Sequence, residues 1–528
     1  MSGRRLAPVH SAAEASAVDR AAIAGGIPSR ALMQRAGAAA AAEIARRFPR
    51  RLRRGALVLA GPGNNGGDAW VVARALAAAG VRCIVHEPLP ARTPDAIAER
   101  ALALPWVERA DTQADLASRP TPGVVVDGLL GIGSSGAPRG PLADAIAHAA
   151  ALRTAGARVV ALDVPSGMDA ATGAAEGALG ADLTLTFGAM KRGLLIARAT
   201  AGAVVVLDIG LPRVDDEDAA PRLVDGAWVR ERLPRIAAAA HKGDRKKLVV
   251  VGGAPGMAGA TVLAARAAAR SGVGMVKLLV PPPSVPVVQA AAPEALAAPW
   301  PDEGAPVAGV SAAGDRVAAE LEGWADVVLA GPGLGRSDGA RRILEAVLER
   351  WRGPVVLDAD ALNAFQGRAD DLACLLSGRP AVLTPHPAEF ARLAGTTVAD
   401  ALARHFDAPA ELAARTGAVV LAKGVPTVLA APDGRRLVSA AGTPALAAAG
   451  SGDLLAGIVA TLLAQMDDAL DAAACAAWLH GRAAELATGR GGARGVTLRH
   501  VLAALPAAIR RTPRDIAYPV LAALRAVR

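Results

Sequence analysis

The sequence predicts an α/β protein of two domains, each built on a mainly parallel sheet with helices on both faces. Three observations carry that prediction. Short runs rich in Val, Leu and Ile alternate with Ala-rich helical stretches along almost the whole chain. The runs are continuously apolar, whereas a strand with one wet face would alternate apolar with polar residues. The chain is also too long for one core: 528 residues call for two domains or three.

Taken in order, residues 11–48 read as helices broken at GGIP (Gly25–Pro28). The first strand series follows: ALVLA (56–60), VRCIVH (81–86), VVVD (124–127), VVALD (159–163), LTLTF (183–187) and VVVLD (204–208). VDDEDAAPR (Val214–Arg222) is acidic, holds a proline and lacks periodicity, so a linker is expected over 214–226. That sets the domains at 1–213 and 227–528. The second series runs KKLVVVGG (246–253), MVKLLV (275–280), DVVLAG (326–331), PVVLDAD (354–360), AVLTPH (381–386) and AVVLAKG (418–424). In TVLAAPDGRRLV (427–438), Asp433-Gly434 between two apolar runs predicts an antiparallel hairpin. Helices over 452–464, 468–488 and 497–510 close the chain.

Composition bounds the function. A net charge of +9 suits anionic ligands. No Lys/Arg-dense block appears, and one Tyr with five Phe leave little for base stacking, so no nucleic-acid partner is expected. Cys83, Cys374 and Cys475 are scattered without metal spacing, which points to a reducing compartment such as the cytoplasm. Arg4 and Arg5 precede no apolar stretch, so no secretory signal is expected. The most apolar window, Ala445–Ala464, holds Asp453 and a Gly-Ser-Gly turn, and reads as a buried loop and helix rather than a membrane span.

The chemistry sits at strand ends. LAGPG occurs at Leu59–Gly63 and again at Leu329–Gly333; the flanks do not align, so the match is local chemistry and not duplication. In both copies a glycine turn can present free backbone N–H groups to an anion. GPGNNGGDA (Gly61–Ala69) carries more glycine than a turn needs and reads as a ligand loop, although Asp68 also suits a helix cap. VVVDGLLGIGSSGAPRG (124–140) and VVALDVPSGMDA (159–170) repeat the pattern. Asp127 and Asp163 alone would be ordinary caps, but three such strand ends point to one pocket. Asn65, Asp127 and Ser166 offer only hard oxygens, which suit an alkali or alkaline-earth cation.

In the second half, AGSGDLLAG (Ala449–Gly457) places a glycine turn at the head of an apolar helix. The amides and the helix dipole make an anion site, with Asp453 beside it to accept a proton. With an ordinary carboxyl pKa of about 3.9, Asp453 would be a weak base. AKGVPT (Ala422–Thr427) would bring Lys423 to a nucleotide, and TPHPAEF (Thr384–Phe390) holds His386 in a rigid loop.

GIPSRALMQRAG, GPGNNGGDA, VVDGLLGIG and DVPSGMD occur in that order, and through them the first half resembles the NAD(P)H-hydrate epimerase family. HKGDRKKLVVVGG, GMAGA, AGPGLG, LDADALN, LTPHPAEF, LAKG and AGSGDLLAG make the second half resemble the ADP/ATP-dependent NAD(P)H-hydrate dehydratase family. The resemblance spans about residues 10–510. It implies a Rossmann-like αβα sandwich followed by a ribokinase-like α/β domain. It also implies two activities on hydrated NADH and NADPH: interconversion of the R and S hydrates, with Asp163 as acid/base, and ADP-dependent dehydration of the S form. In the second, Asp453 would act on the C6 hydroxyl, Mg²⁺ would screen the phosphates, and AMP and phosphate would leave.

By position, the resemblance implies substrate contacts at Asn64, Asn65, Gly66, Gly67, Asp68, Gly131, Ile132, Gly133, Ser134, Ser135, Gly136, Ala137 and Asp163. It implies potassium at Asn65, Asp127 and Ser166, and hydrate in the second domain at Ala260, Gly333, His386 and Asp453. The nucleotide would lie on Lys423, Gly424, Val425, Pro426, Thr427 and Gly452. The implied partners are the small molecules NADHX, NADPHX and ADP, with no nucleic acid, no membrane, and self-association into a homo-oligomer. Two positions depart from the family pattern: Ala69 replaces a glycine, and GTPALAAAGSGD lacks an Asn and a Gly-Met. The rival expectations are a vitamin-precursor kinase with a regulatory first domain, and a non-catalytic binding module.

Overall fold

A computed structural model describes residues 6–134, 136–212, 220–300, 317, 319–489, 491–510 and 518–527. The chain divides into two compact units, Met1–Leu223 with Asp515–Arg528, and Val224–Arg514.

The strands of the first unit are β1 (Ala7–His10), β2 (Ala56–Ala60), β3 (Cys83–His86), β4 (Glu108–Ala110), β5 (Val124–Gly128), β6 (Arg158–Leu162), β7 (Leu183–Phe187), β8 (Met190–Lys191), β9 (Ala203–Leu207) and β10 (Arg222–Leu223). In the second they are β11 (Lys247–Val251), β12 (Met275–Val280), β13 (Leu296–Pro299), β14 (Val327–Ala330), β15 (Val355–Leu357), β16 (Ala381–Leu383), β17 (Val419–Ala422), β18 (Thr427–Ala430) and β19 (Arg436–Ser439). The last strand of the chain, β20 (Val520–Leu524), belongs to the first unit.

The main sheet of the first unit has eight strands in the order β20-β9-β7-β6-β5-β2-β3-β4. All pairs are parallel except β20 with β9. Residues of β2 and β5 are buried on both faces, as their unbroken apolar runs require. Trp70, Ile44 and Leu76 fill one face and Leu59, Leu129 and Leu179 the other. A side sheet joins β1 to β10 antiparallel and to β8 parallel.

In the second unit, β13-β12-β11-β14-β15-β16-β17 pair in parallel. The β17–β18 and β18–β19 pairs are antiparallel, and the hairpin expected around Asp433-Gly434 forms with Gly434 at φ 94°. Phe365, Leu344 and Leu357 lie in its core, where burying each such side chain contributes about 1.5–3 kcal/mol.

Two expectations about boundaries change. Residues 220–226 are not a bare connector. Arg222–Leu223 pairs with Pro8–Ala7, and Asp225 caps the helix Gly226–Arg232 by accepting from the Trp228 amide at 2.8 Å. Val214–Ala219 of the expected linker lie outside the described residues. The second domain also does not run to residue 528, because residues 515–528 group with the first unit, where β20 completes the sheet along the free edge of β9.

Candidate active sites

In both units, parallel strands deliver their carboxyl ends to one edge, where ligands of open α/β sheets bind. The two LAGPG segments show why glycine stands there. A Cβ on Gly61 would sit 1.8 Å from the carbonyl oxygen of Leu129, and one on Gly331 would sit 1.7 Å from that of Asp358. In each case the adjacent strand exits directly across the glycine. The amide of the first glycine in each copy is not free for an anion, since Gly61 N–H donates to the Gly128 carbonyl and Gly331 N–H to that of Val251. Shared packing explains the first glycine of each pentapeptide.

In the first unit the strand ends open on a cavity of about 810 Å³. Asn64, Asn65, Asp68, Gly131, Ile132, Gly133, Ser134 and Asp163 line it. Gly66, Gly67, Gly136 and Ala137 do not. Gly66 and Gly67 instead let the helix Asn64–Ala78 press against Gly61 and Met33, where a Cβ would come within 1.9 Å and 2.5 Å. Ser135 lies outside the described residues.

Asp163 ends β6 in a left-handed conformation, φ 61°, which is costly for a residue with a Cβ. Its Oδ1 accepts from Lys191 Nζ at 2.5 Å and from Thr186 Oγ1 at 3.0 Å. Lys191 is nearly buried and also donates to the Phe187 carbonyl at 2.9 Å. Burial pushes the Asp68 carboxyl well above the usual range, and the negative charges of Asp163 and Asp19 add to it. Asp19 is raised chiefly by burial as well, with Lys191 opposing. Burial lowers His10, which also lines the cavity. A group favouring its proton thus stands near a carboxylate paired with an ammonium, the arrangement that general acid–base exchange requires.

The GIPSR motif has its own task. Arg30 and Gln34 both donate to Glu99 at 2.7 Å, and Ser29 Oγ donates to Asp95 at 2.6 Å. Glu99 has no exposed surface and also receives Arg74 at 3.0 Å, so the motif pins its helix beside the cavity.

Asn65, Asp127 and Ser166 come together beneath the cavity floor, all buried. Ser166 donates to Asp127 through its amide at 2.8 Å and its hydroxyl at 2.6 Å. Asn65 Nδ2 donates to the carbonyls of Leu130 at 2.7 Å and Leu162 at 3.2 Å, while its Oδ1 is buried with no hydrogen-bond partner. Burial raises the Asp127 carboxyl, opposed by the Ser166 hydrogen bonds.

In the second unit the ends of β14 to β17 bring Gly331, Asp358, His386 and Lys423 to the carboxyl edge. Lys423 Nζ donates to Asp358 Oδ1 at 2.5 Å, and Asp358 is buried. The helix Ser451–Gln465 starts from Gly450 at φ 88°. A Cβ on Gly452 would lie 3.1 Å from Lys423 Nζ and 3.9 Å from Asp358 Oδ2, so the bare glycine leaves the space between helix head and ammonium open. Asp453, in the first turn, has its carboxyl pushed up to about 7, by burial first and then by Asp358, with Lys423 opposing and Glu389 adding. The ordinary pKa expected of Asp453 is therefore corrected, because desolvation holds its carboxyl up near neutrality.

His386 is the N-cap of the helix Pro387–Ala394, with Nδ1 accepting the Ala388 amide at 3.1 Å. Its Nε2 lies 3.2 Å from Glu389 Oε1. Ala260 and Gly333 meet: a Cβ on Gly333 would lie 3.3 Å from that of Ala260. In the loop 423–427, Val425 is 73% exposed and Pro426 accepts from the His405 ring at 2.6 Å.

Sequence reasoning missed Lys191, Asp19, His10 and Asp358. Lys191 and Asp358 follow strands that were identified, so the strand-end rule applied to FGAMKRG and LDAD finds them. Asp19 and His10 carry no local signal, since packing of the first helix and β1 brings them in. No cysteine contributes: all three are free, and burial pushes the Cys83 thiol up to about 12. Among the described residues no helix is long and apolar enough to cross a membrane.

One unit thus carries a carboxylate–ammonium pair in a large strand-end cavity, and the other a glycine-headed helix whose first-turn carboxyl, raised to about 7, stands near a lysine. The model for "YjeF-related protein N-terminus" matches residues 29–193 and that for "NAD(P)H-hydrate dehydratase" residues 248–507. The chain is 36% identical to the bifunctional NAD(P)H-hydrate repair enzyme Nnr of Moorella thermoacetica, covering 94% of this chain and 96% of that protein. It is likewise 36% identical to the same enzyme of Escherichia coli strain K12, covering 88% and 86%. A solved ADP/ATP-dependent NAD(P)H-hydrate dehydratase from Bacillus subtilis, co-crystallised with ATP/Mg²⁺, is 29% identical with a TM-score of 0.46, over 54% of this chain and 96% of that one. The chain belongs to the family of bifunctional NAD(P)H-hydrate repair enzymes, which join an epimerase domain to a dehydratase domain.

Proposed function

We propose that the first unit interconverts the R and S hydrates of NADH and NADPH, and that the second dehydrates the S form at the expense of ADP. Loss and re-addition of water inverts C6 by breaking the carbon–oxygen bond and re-forming it on the other face of the ring; a proton is given to the leaving hydroxyl and taken from the returning water. Asp163, held by Lys191 and Thr186, accepts or returns that proton, and Asp68 supplies a second carboxyl that favours its protonated form. Asn64 and Gly131–Ser134 hold the dinucleotide in the cavity.

The floor residues fit a potassium ion. The unpartnered Asn65 Oδ1 is a hard donor, and Leu130 links the three residues: its carbonyl accepts from Asn65 Nδ2 and its amide donates to the Ser166 hydroxyl, which is bonded to Asp127. Such an ion would neutralise charge beneath the loop, and Asn65, Asp127 and Ser166 would hold it.

In the second unit, Lys423 through Thr427 and the amide of Gly452 hold the nucleotide phosphates, while Ala260, Gly333 and His386 flank the hydrate. Mg²⁺ carried by the phosphates held there would screen their charge. Asp453 takes the C6 hydroxyl proton as the oxygen attacks the β-phosphoryl group, and AMP leaves. The ring nitrogen lone pair then expels phosphate from C6, and loss of a C5 proton restores the reduced nicotinamide. The observation that carries this reading is the Asp453 carboxyl raised to about 7 in the first turn of a glycine-headed helix, next to the Lys423–Asp358 pair. Incubating the protein with pure S hydrate and ADP tests it. Release of phosphate in step with recovered near-ultraviolet absorbance supports dehydration, whereas a stable phosphoester would make the protein a kinase instead. The free cysteines support a cytoplasmic location, and we assign a homo-oligomer to be tested by light scattering.

A further inference from the structure

The last strand of the chain does more than cover an edge. β9 would otherwise leave an unpaired row of N–H and C=O groups at the side of the first sheet. β20 pairs with it antiparallel, with Leu524 opposite Val204, Ala523 opposite Val205 and Ala522 opposite Val206. The register then shifts between Ala522 and Val520, and Val520 faces Leu207. Leu521 is the extra residue at that bulge, the place where a strand re-aims a side chain. The contacts at both ends are specific: Asp208 N–H donates to the Pro519 carbonyl at 2.7 Å, and the Arg198 guanidinium donates to the Arg525 carbonyl.

Direction decides where Leu521 goes. Because β20 runs against β9, it begins where β6, β7 and β9 end. That is the edge bearing Asp163, Phe187 and Asp208, and Leu521 lines the same 810 Å³ cavity as all three. Half-buried, it extends an apolar wall made with Phe187, Ile209 and Leu211.

We infer that Leu521 is a specificity-determining residue of the epimerase cavity, so that the chain's last strand supplies a wall of the site formed by its first half. The wall takes an uncharged, planar part of the dinucleotide, since its side chains offer only apolar surface. This rests on the epimerase reading of that cavity.

The test uses the full-length protein with Leu521→Ala, Leu521→Met and Leu521→Trp. Leu521→Ala should raise the epimerase KM about fivefold with kcat within about twofold, the signature of lost binding that is equal in ground and transition states. Leu521→Met keeps the wall and should behave as wild type. Leu521→Trp should occupy the cavity and raise KM further. Dehydration of pure S hydrate should be unchanged in all three. Wild-type epimerase KM in both the Ala and Trp variants would overturn the inference. So would equal loss in the Ala and Met variants together with lowered Tm, which would mark Leu521 as structural only. If the wild-type protein itself fails to epimerise, the functional reading of the cavity falls and this inference falls with it, an outcome distinct from an active enzyme that ignores substitution at Leu521.

Discussion

The pH dependence of dehydration follows from the surroundings of Asp453. Its carboxyl titrates at about 7 because burial disfavours the charged form and Asp358 adds repulsion that Lys423 only partly offsets. The proposed proton transfer from the C6 hydroxyl needs the ionised form. At about pH 8 roughly nine-tenths of free enzyme carries it, and at about pH 6 roughly one-tenth. Dehydratase kcat/KM should therefore fall about tenfold over that interval, and tenfold per unit below it. A carboxyl at its ordinary value would be ionised throughout and give a flat profile. The assay is the initial rate of absorbance recovery with S hydrate and ADP both well below their KM, corrected for the uncatalysed rate. Asp358→Asn removes one repulsive charge and frees the Lys423 ammonium, and both effects lower the Asp453 pKa, so the acid limb should move to lower pH. Stability provides an independent sign. A carboxyl raised on folding contributes stability below its unfolded value of 3.8, and that contribution is lost as pH rises towards about 7. Asp453→Asn should thus melt above wild type by a margin that grows from about pH 4 to 7 and then levels. A flat rate profile between about pH 6 and 8, or an acid limb that persists unchanged in Asp358→Asn, would refute the reasoning.

Other expected outcomes follow from the same geometry. Asp163→Asn should lower epimerase kcat about 10²–10⁴-fold and leave dehydration of pure S hydrate intact; near-normal epimerisation would remove Asp163 from the chemistry. Asp127→Ala should lower epimerase activity and abolish its response to K⁺, checked by potassium titration against a constant ionic strength. Gly452→Ala places a methyl group 3.1 Å from Lys423 Nζ and should raise the ADP KM with little change in Tm. Gly61→Ala drives a methyl group into the Leu129 carbonyl and should lower Tm of the first unit, read as loss of epimerase activity on heating.

Much of the fold was legible because β2, β5, β6 and their counterparts are buried on both faces, and so read as largely apolar runs. The glycine loops and Asp163, Asp127 and Asp453 were legible for the same reason, since each stands directly after such a run or opens an apolar helix. What stayed hidden depends on distant partners. Glu108–Ala110 is a strand only because β3 pairs with it, and VLAAL at 520–524 reads as helix-like Ala and Leu until β9 offers an edge. Asp19 enters its site from the middle of a helix. The raised pKa of Asp453 is set by Asp358, Lys423 and Glu389, which lie 95, 30 and 64 residues earlier, and no local pattern encodes that meeting.

The central claim is that one chain restores both hydrate epimers. The most direct measurement incubates purified full-length protein with an equal mixture of R and S hydrates, with and without ADP. Absorbance of the reduced nicotinamide and inorganic phosphate are followed together. Without ADP no absorbance should recover; with ADP recovery should pass half and approach completion, matched one for one by phosphate. Recovery that stops at the S half would contradict the epimerase assignment, and consumption of ADP without absorbance or phosphate would contradict the dehydratase assignment.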